Sequence, residues 1–134
     1  MTTTPPADTK AVQAIEQAEA AWLVALIEGP EALIPLMLED SRVVHGPVGM
    51  VDDRETWAHF AQTRRRAVSG RATELKITVR GNTAITTCLH EMYTVLDESI
   101  APFPMQEVVT KVWEETPDGW RLAHMVMGRR FPPV

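Results

Sequence analysis

The feature that most limits what this chain can fold into is a change of hydrophobic period near its middle. Before Gly70 the apolar residues recur every three or four positions; after it they alternate. The first period belongs to an amphipathic helix and the second to a half-buried strand. Leu75, Ile77 and Val79 alternate with Lys76, Thr78 and Arg80, and Gly81-Asn82 then makes a good two-residue hairpin loop. Such a loop sets a register. Arg80 falls opposite Thr83, Val79 opposite Ala84, Ile77 opposite Thr86, Leu75 opposite Cys88 and Thr73 opposite His90. Opposite residues share a face. Ala84, Thr86, Cys88, His90 and Met92 are therefore expected on the apolar face, and Ile85, Leu89, Glu91, Tyr93 and Val95 on the other. That second face is too apolar to be simply solvated and too polar for a sealed core, which suggests a subunit interface.

Upstream of Gly70 the pattern is helical. Residues 1–8 read as a flexible tail. From Thr9, the positions of Val12, Ile15, Ala18, Trp22, Leu23, Leu26 and Ile27 make one apolar stripe. Gly29-Pro30 stops that helix, and Pro30 opens a short second one over Glu31 to Leu38, which Pro35 kinks or shortens. Arg42 to His45 reads as a short strand and Gly46-Pro47-Val48-Gly49 as a turn. Asp52-Asp53-Arg54-Glu55 has the form of a capping box, with Asp52 as the cap. A helix follows through Trp57, Phe60, Ala61 and Arg64, with Gly70 just past its end. Arg64-Arg65-Arg66 then sits in its last turns, complementing the helix dipole. A site for a substrate anion is the other reading of that run. Downstream, a loop holds Pro102 and Pro104, Met105 to Glu114 is a strand, Thr116-Pro117-Asp118-Gly119 is a turn, and Trp120 to Met127 is the last strand. Residues 129–134 are a tail.

At 134 residues the chain fits one domain, here residues 9–128. A net charge of −5 argues against a nucleic-acid partner, which would need a basic face. Cys88 is the only cysteine, so neither an internal disulfide nor a cysteine-based metal cluster can form. The start lacks the basic and apolar regions of a signal peptide, and no apolar run approaches the ~18–20 residues that span a bilayer. No membrane association and a cytoplasmic location are the expectation.

Helices first and antiparallel strands last indicate an α+β fold. At this point the chain resembles the nuclear transport factor 2-like superfamily, in its SnoaL-like or ketosteroid-isomerase-like branch. Three stretches carry the resemblance: Leu38 to Gly49 (LEDSRVVHGPVG), Val79 to Thr86 (VRGNTAIT), and Val109 to Trp113 (VTKVW) leading into Asp118 to His124 (DGWRLAH). The resemblance implies a cone-shaped α+β barrel, in which N-terminal helices pack on a curved, mainly antiparallel sheet. It also implies an apolar pocket and a homodimer formed through the sheet. Members of the family include isomerases, dehydratases, polyketide cyclases and subunits with no chemistry, so the fold leaves the function open.

Two histidines are the catalytic candidates. The hairpin register puts His90 on the apolar face, where an imidazole suits proton transfer; the alternative is a core histidine satisfied by one or two hydrogen bonds. His124 shares one side of the last strand with Trp120, Leu122 and Val126, an alternation that turns it inward. His45, Trp22, Trp57, Phe60, Met92, Glu107 and Trp120 are candidate pocket-lining residues, since ligand pockets are mostly apolar with few polar groups. The spacing of His45, His90 and His124 matches no compact metal motif, and no metal or other cofactor is expected. Tyr93 is the only tyrosine and faces away from the core; His59 is off the helix stripe and expected exposed; Asp40 reads as a turn residue before the first strand. Two function classes stay open. One is an enzyme performing cofactor-independent acid–base chemistry on a hydrophobic small molecule, as a cyclase, isomerase or dehydratase. The other is a non-catalytic ligand-binding or accessory homodimer.

Overall fold

The computed structural model describes residues 6–63, 66–95 and 97–131. Helix α1 (Pro6–Glu28) is followed by the single-turn α2 (Pro30–Leu33) and a 3-10 turn (Ile34–Leu36). Strands β1 (Met37–His45) and β2 (Met50–Asp53) flank a second 3-10 turn (Gly46–Val48), and α3 (Arg54–Thr63) follows. Four long strands complete the chain: β3 (Arg66–Arg80), β4 (Thr83–Val95), β5 (Phe103–Thr116) and β6 (Gly119–Arg129). The strands make one six-stranded sheet in the order β2-β1-β6-β5-β4-β3. Only the β1–β6 pair is parallel; the other neighbours are antiparallel. The sheet is not closed, because β2 and β3 remain as edges. α1 and α3 cover one face of it, and the core lies between them and the strands. None of the described helices is long and apolar enough to cross a membrane.

The helical half departs from expectation in its boundaries. Residues 1–5 lie outside the described part, but Pro6 to Asp8 already belong to α1, so the helix starts three residues before Thr9. Pro35 sits in the 3-10 turn, which ends the helical stretch early and lets β1 begin at Met37 rather than Arg42. Strand β2 takes up the segment expected to be the approach to a cap. The cap is Asp53, not Asp52: its Oδ1 accepts from the backbone N–H of Thr56 at 2.8 Å. Asp52 instead pairs with Val43 across the β1–β2 ladder and is buried. α3 ends at Thr63, so Gly70 does not close it; Gly70 lies inside β3, opposite Met92. Arg64 and Arg65 lie outside the described residues.

The hairpin register holds near its loop and then slips. Arg80 faces Thr83, Val79 faces Ala84 and Ile77 faces Thr86, as the Gly81-Asn82 loop dictates. Glu74 and Leu75 then stand against Cys88 alone, a β-bulge, and Glu74 has a positive φ of 55°. His90 is therefore opposite Ala72 rather than Thr73. The extra residue is in β3, so the alternation of β4 is unbroken and Ala84, Thr86, Cys88 and His90 all face the core. On the other face Ile85 and Tyr93 are exposed, while Leu89 is buried.

A second bulge decides the last strand. Trp113 pairs with Leu122 but Val112 pairs with His124, which leaves Ala123 as an extra residue. Leu122 faces inward before the bulge, and Met125 and Met127 face inward after it. His124 is thereby turned to the outer face, against the expected inward direction, because one inserted residue inverts the alternation.

Gly46 follows His45 directly and lies against β6. A Cβ at this position would collide with the backbone oxygen of Met127. A Cβ at Gly128 would meet nothing within 4 Å. Gly46→Ala should therefore cost about 1–3 kcal/mol in urea unfolding, since fixed backbone cannot yield as a side chain can. Gly128→Ala should leave the urea midpoint close to that of the parent.

Candidate functional site

The interior holds a polar cluster that the helix stripe and the sheet alternation place together. Glu19 occupies the α1 stripe between Ile15 and Trp22, and Lys111 occupies the inward alternation of β5 between Val109 and Trp113. Glu19 is 3% and Lys111 0% exposed. Lys111 Nζ donates to Glu19 Oε1 at 2.7 Å. The other carboxylate oxygen, Oε2, accepts from Thr86 Oγ1 at 2.7 Å and from Trp113 Nε1 at 2.9 Å. Lys111 Nζ also lies 3.3 Å from His90 Nε2 and 5.7 Å from the centre of the Trp22 ring. An ammonium has no acceptor capacity, so His90 Nε2 must be the acceptor of that contact. Both ends of the buried ion pair are hydrogen-bonded beyond each other, which is the condition under which a buried charge is tolerated.

This environment decides what His90 can do. Burial first, and the Lys111 charge second, push its pKa down to about 3. The ring is therefore neutral across the physiological range. Burial also pushes the Cys88 thiol up, against the lowering effect of Lys111. Among the described residues, Glu19, Cys88 and His90 form the one group with donors close enough to hold a metal, all within 4.8 Å of one another. The Lys111 ammonium already bridges Glu19 and His90 there, and repulsion from it would oppose a metal cation.

Beside this cluster lies an apolar cavity of about 50 Å³. That is room for a few water molecules. Its aromatic wall is Trp22, Trp57 and Phe60. Trp22 and Trp57 stack with centroids 5.5 Å apart, and Trp113 stands edge-on to Trp22 at 6.2 Å. Methionines make much of the opposite wall: Met92 and Met105, cross-strand partners on β4 and β5, with Met125 and Met127 from β6. Three ionisable side chains reach the cavity from three strands: His45 on β1, His90 on β4 and Glu107 on β5. His90 and Glu107 are directly opposite in register. His45 Nε2 is 4.0 Å from Glu107 Oε2, both side chains are nearly fully buried, and the His45 ring meets Phe60 edge-on at 5.0 Å.

The sequence candidates separate clearly. His45, His90, Glu107, Trp22, Trp57, Phe60 and Met92 line the cavity. Trp120 does not; it packs half-buried against the core beyond it. His124 does not either, since the Ala123 bulge puts it on the outer face, where it pairs with Val112 and Arg42. His59 and Asp40 are exposed. Glu19 and Lys111 were not among the candidates. Their signal was a charge at an apolar position, Glu19 within the 15–22–26 stripe and Lys111 between Val109 and Trp113. Neither residue reveals its partner, because 92 positions separate them.

The low pKa of His90 carries a stability consequence with a definite sign. An unfolded His90 takes up a proton near pH 6.5, whereas the folded one stays neutral to about 3. The unfolded state thus binds more protons between those values, so this contribution is intact above pH 6.5 and is lost as the pH falls. His90→Gln keeps an acceptor for Lys111 but cannot be protonated. Relative to that variant, the parent should lose about 1.4 kcal/mol per pH unit between pH 6 and 4 in urea unfolding.

Comparison with known proteins agrees with this architecture. Residues 15–128 match the model of the SnoaL-like domain. Among solved structures, an NTF2-like protein from Cytophaga hutchinsonii superposes with a TM-score of 0.76 at 16% identity, over 95% of this chain and 100% of that one. A candidate dehydratase of the NTF2-like family from Streptomyces avermitilis gives 0.74 at 21% identity, over 92% of this chain and 98% of that one. The CaMKII hub from S. rosetta gives 0.72 at 18% identity, over 96% and 100%. No curated protein matches the chain. At these identities the structures establish a shared fold, and the domain match goes further: the chain belongs to the SnoaL-like domain family, built on the NTF2-like fold.

Proposed function

We propose that the cavity binds a small hydrophobic molecule carrying a carbonyl-type oxygen, and that its side chains carry out cofactor-independent proton transfer on it. The observation behind this reading is the convergence of His45, His90 and Glu107 on one apolar cavity. Apolar walls with a few convergent polar groups are what such sites require. Glu107 is the proton carrier: it takes a proton from the carbon beside the carbonyl and returns it to another carbon of the same molecule. His45 Nε2, 4.0 Å away, flanks the carboxylate and fixes one side of it. His90 is not the base that its position in the sequence suggests, because a ring neutral down to about pH 3 takes no proton at physiological pH. Its N–H instead holds the carbonyl oxygen as negative charge builds there. His124 has no part, being on the outer face. With the proton returned to carbon this is isomerase chemistry. A dehydratase shares the first step but delivers the proton to the departing hydroxyl, which leaves as water, and a cyclase delivers it to the oxygen of the carbonyl that the new carbanion attacks. The dehydratase name given to a structural neighbour is consistent with this range.

The small cavity favours a second reading, a non-catalytic ligand-binding or accessory homodimer, and the likeness to a hub domain points the same way. Small ketones such as cyclohexanone separate the two. Saturable quenching of tryptophan fluorescence reports entry beside Trp22 and Trp57, and proton NMR in D2O reports exchange at the carbon beside the carbonyl. Binding with protein-dependent exchange is the expected result. Glu107→Gln should keep binding and slow exchange by about 100-fold or more. Binding without exchange in the parent protein would favour a non-catalytic ligand-binding role, and absence of any binding would sink the catalytic reading in favour of the accessory one.

The homodimer belongs to the same proposal. Ile85, Val108 and Val126 lie on the outer face of β4, β5 and β6 and are 42%, 44% and 38% exposed. A second copy covering this face would remove that apolar surface from water. Sedimentation at micromolar concentration should show a dimer, and Val108→Lys should convert it to monomer. A monomeric parent protein would overturn the assignment.

A further inference from the structure

We infer that Glu19 and Lys111 are positioning residues for His90: they set which imidazole nitrogen carries the proton and which edge of the ring meets the ligand. The inference rests on the donor role proposed above for His90. Lys111 Nζ lies 3.3 Å from His90 Nε2 and can only donate. Nε2 is therefore an acceptor, and the single proton of the neutral ring sits on Nδ1. Lys111 does not line the cavity, whereas His90 does. The edge bonded to Lys111 is thus directed into the polar cluster, and Nδ1–H is the group left to serve a ligand.

Glu19 is needed because Lys111 cannot hold this position alone. A lysine ammonium on a four-carbon stem is mobile unless its hydrogen bonds hold it. Glu19 Oε1 binds it at 2.7 Å, while Thr86 and Trp113 clamp Oε2 at 2.7 and 2.9 Å. The carboxylate is thus anchored to β4 and β5 and directs the ammonium toward His90. The arrangement follows the logic by which a neighbouring group sets the tautomer of a catalytic imidazole, with a cation acting on Nε2. The titratable groups around His90 are Glu19 from α1, Cys88 on its own strand, Lys111 and Glu107 from β5, and His45 from β1 across the same cavity.

Nitrogen-15 NMR of the histidine side chains tests this directly, with His90→Gln identifying the His90 signals. In the parent protein His90 should show the Nδ1–H tautomer and no titration between pH 8 and 5. Replacing the whole pair, Glu19→Gln with Lys111→Met, removes both charges together and avoids stranding one of them. In that variant the Nδ1–H signature should give way to Nε2–H, and the His90 midpoint should rise once the ammonium is gone, with burial still holding it below the ordinary histidine value. A parent protein with His90 as Nε2–H would overturn the inference even if the variant failed to fold. An unchanged tautomer in a folded variant would overturn it as well. These signals do not depend on any ligand, so failure of ketones to bind would count against the proposed function and leave this result standing.

Discussion

The ion pair between Glu19 and Lys111 is the interaction on which the rest of the interior depends. It joins the first helix to the central strands at 3% and 0% exposure. Every polar atom it brings inside finds a partner: Thr86 and Trp113 on one carboxylate oxygen, Lys111 on the other, and His90 beyond the ammonium. Removing one member would leave the other charge unpaired in a low-dielectric core, which costs about 3–5 kcal/mol where it has been measured. The contacts are directional, so they specify one orientation of α1 against the sheet. Apolar packing by itself tolerates several.

That orientation builds the cavity. Trp22 lies one turn beyond Glu19, near the Lys111 ammonium, and stacks on Trp57 of α3. The two indoles close the helical side of the cavity, and methionines close much of the sheet side. Methionine has a flexible, polarisable chain that adapts to irregular shapes. A cavity of about 50 Å³ with such a wall can reshape around a modest ligand more easily than one walled by branched side chains. Burial, with the Lys111 charge beside it, keeps His90 neutral, and the close approach at Gly46 brings His45 against β6. Site and core are thus one construction.

The change of period at Gly70, the Gly81-Asn82 loop and the Thr116–Gly119 turn made the α+β order and all four long strands legible from the residues alone, though not their full lengths. Strand β2 was not legible, since it covers only Met50–Asp53 and follows a Gly/Pro turn. The inward direction of His90 was legible because β4 runs without an inserted residue from the hairpin loop to His90. The direction of His124 was not, because Ala123 bulges out of β6 and inverts everything after it. A bulge leaves no mark in hydrophobic alternation until partner strands are known. The same holds for Glu74 in β3, a non-glycine residue at positive φ.

What the sequence by itself determined was local: where the main helices and the four long strands run, which residues form the apolar faces up to a bulge, and where the tight turns fall. These follow from periodicity and backbone sterics, which act over a few residues. Only the tertiary structure decided that Glu19 meets Lys111, that the pair holds His90 by its Nε2, and that Glu107 and His45 face the same cavity. Those partners lie tens of positions apart, and a charge at an apolar position announces that it needs a counter-charge without saying which one. The fold supplied the answer by bringing α1, β1, β4 and β5 around one interior, where the cost of burying an unpaired charge leaves few other arrangements.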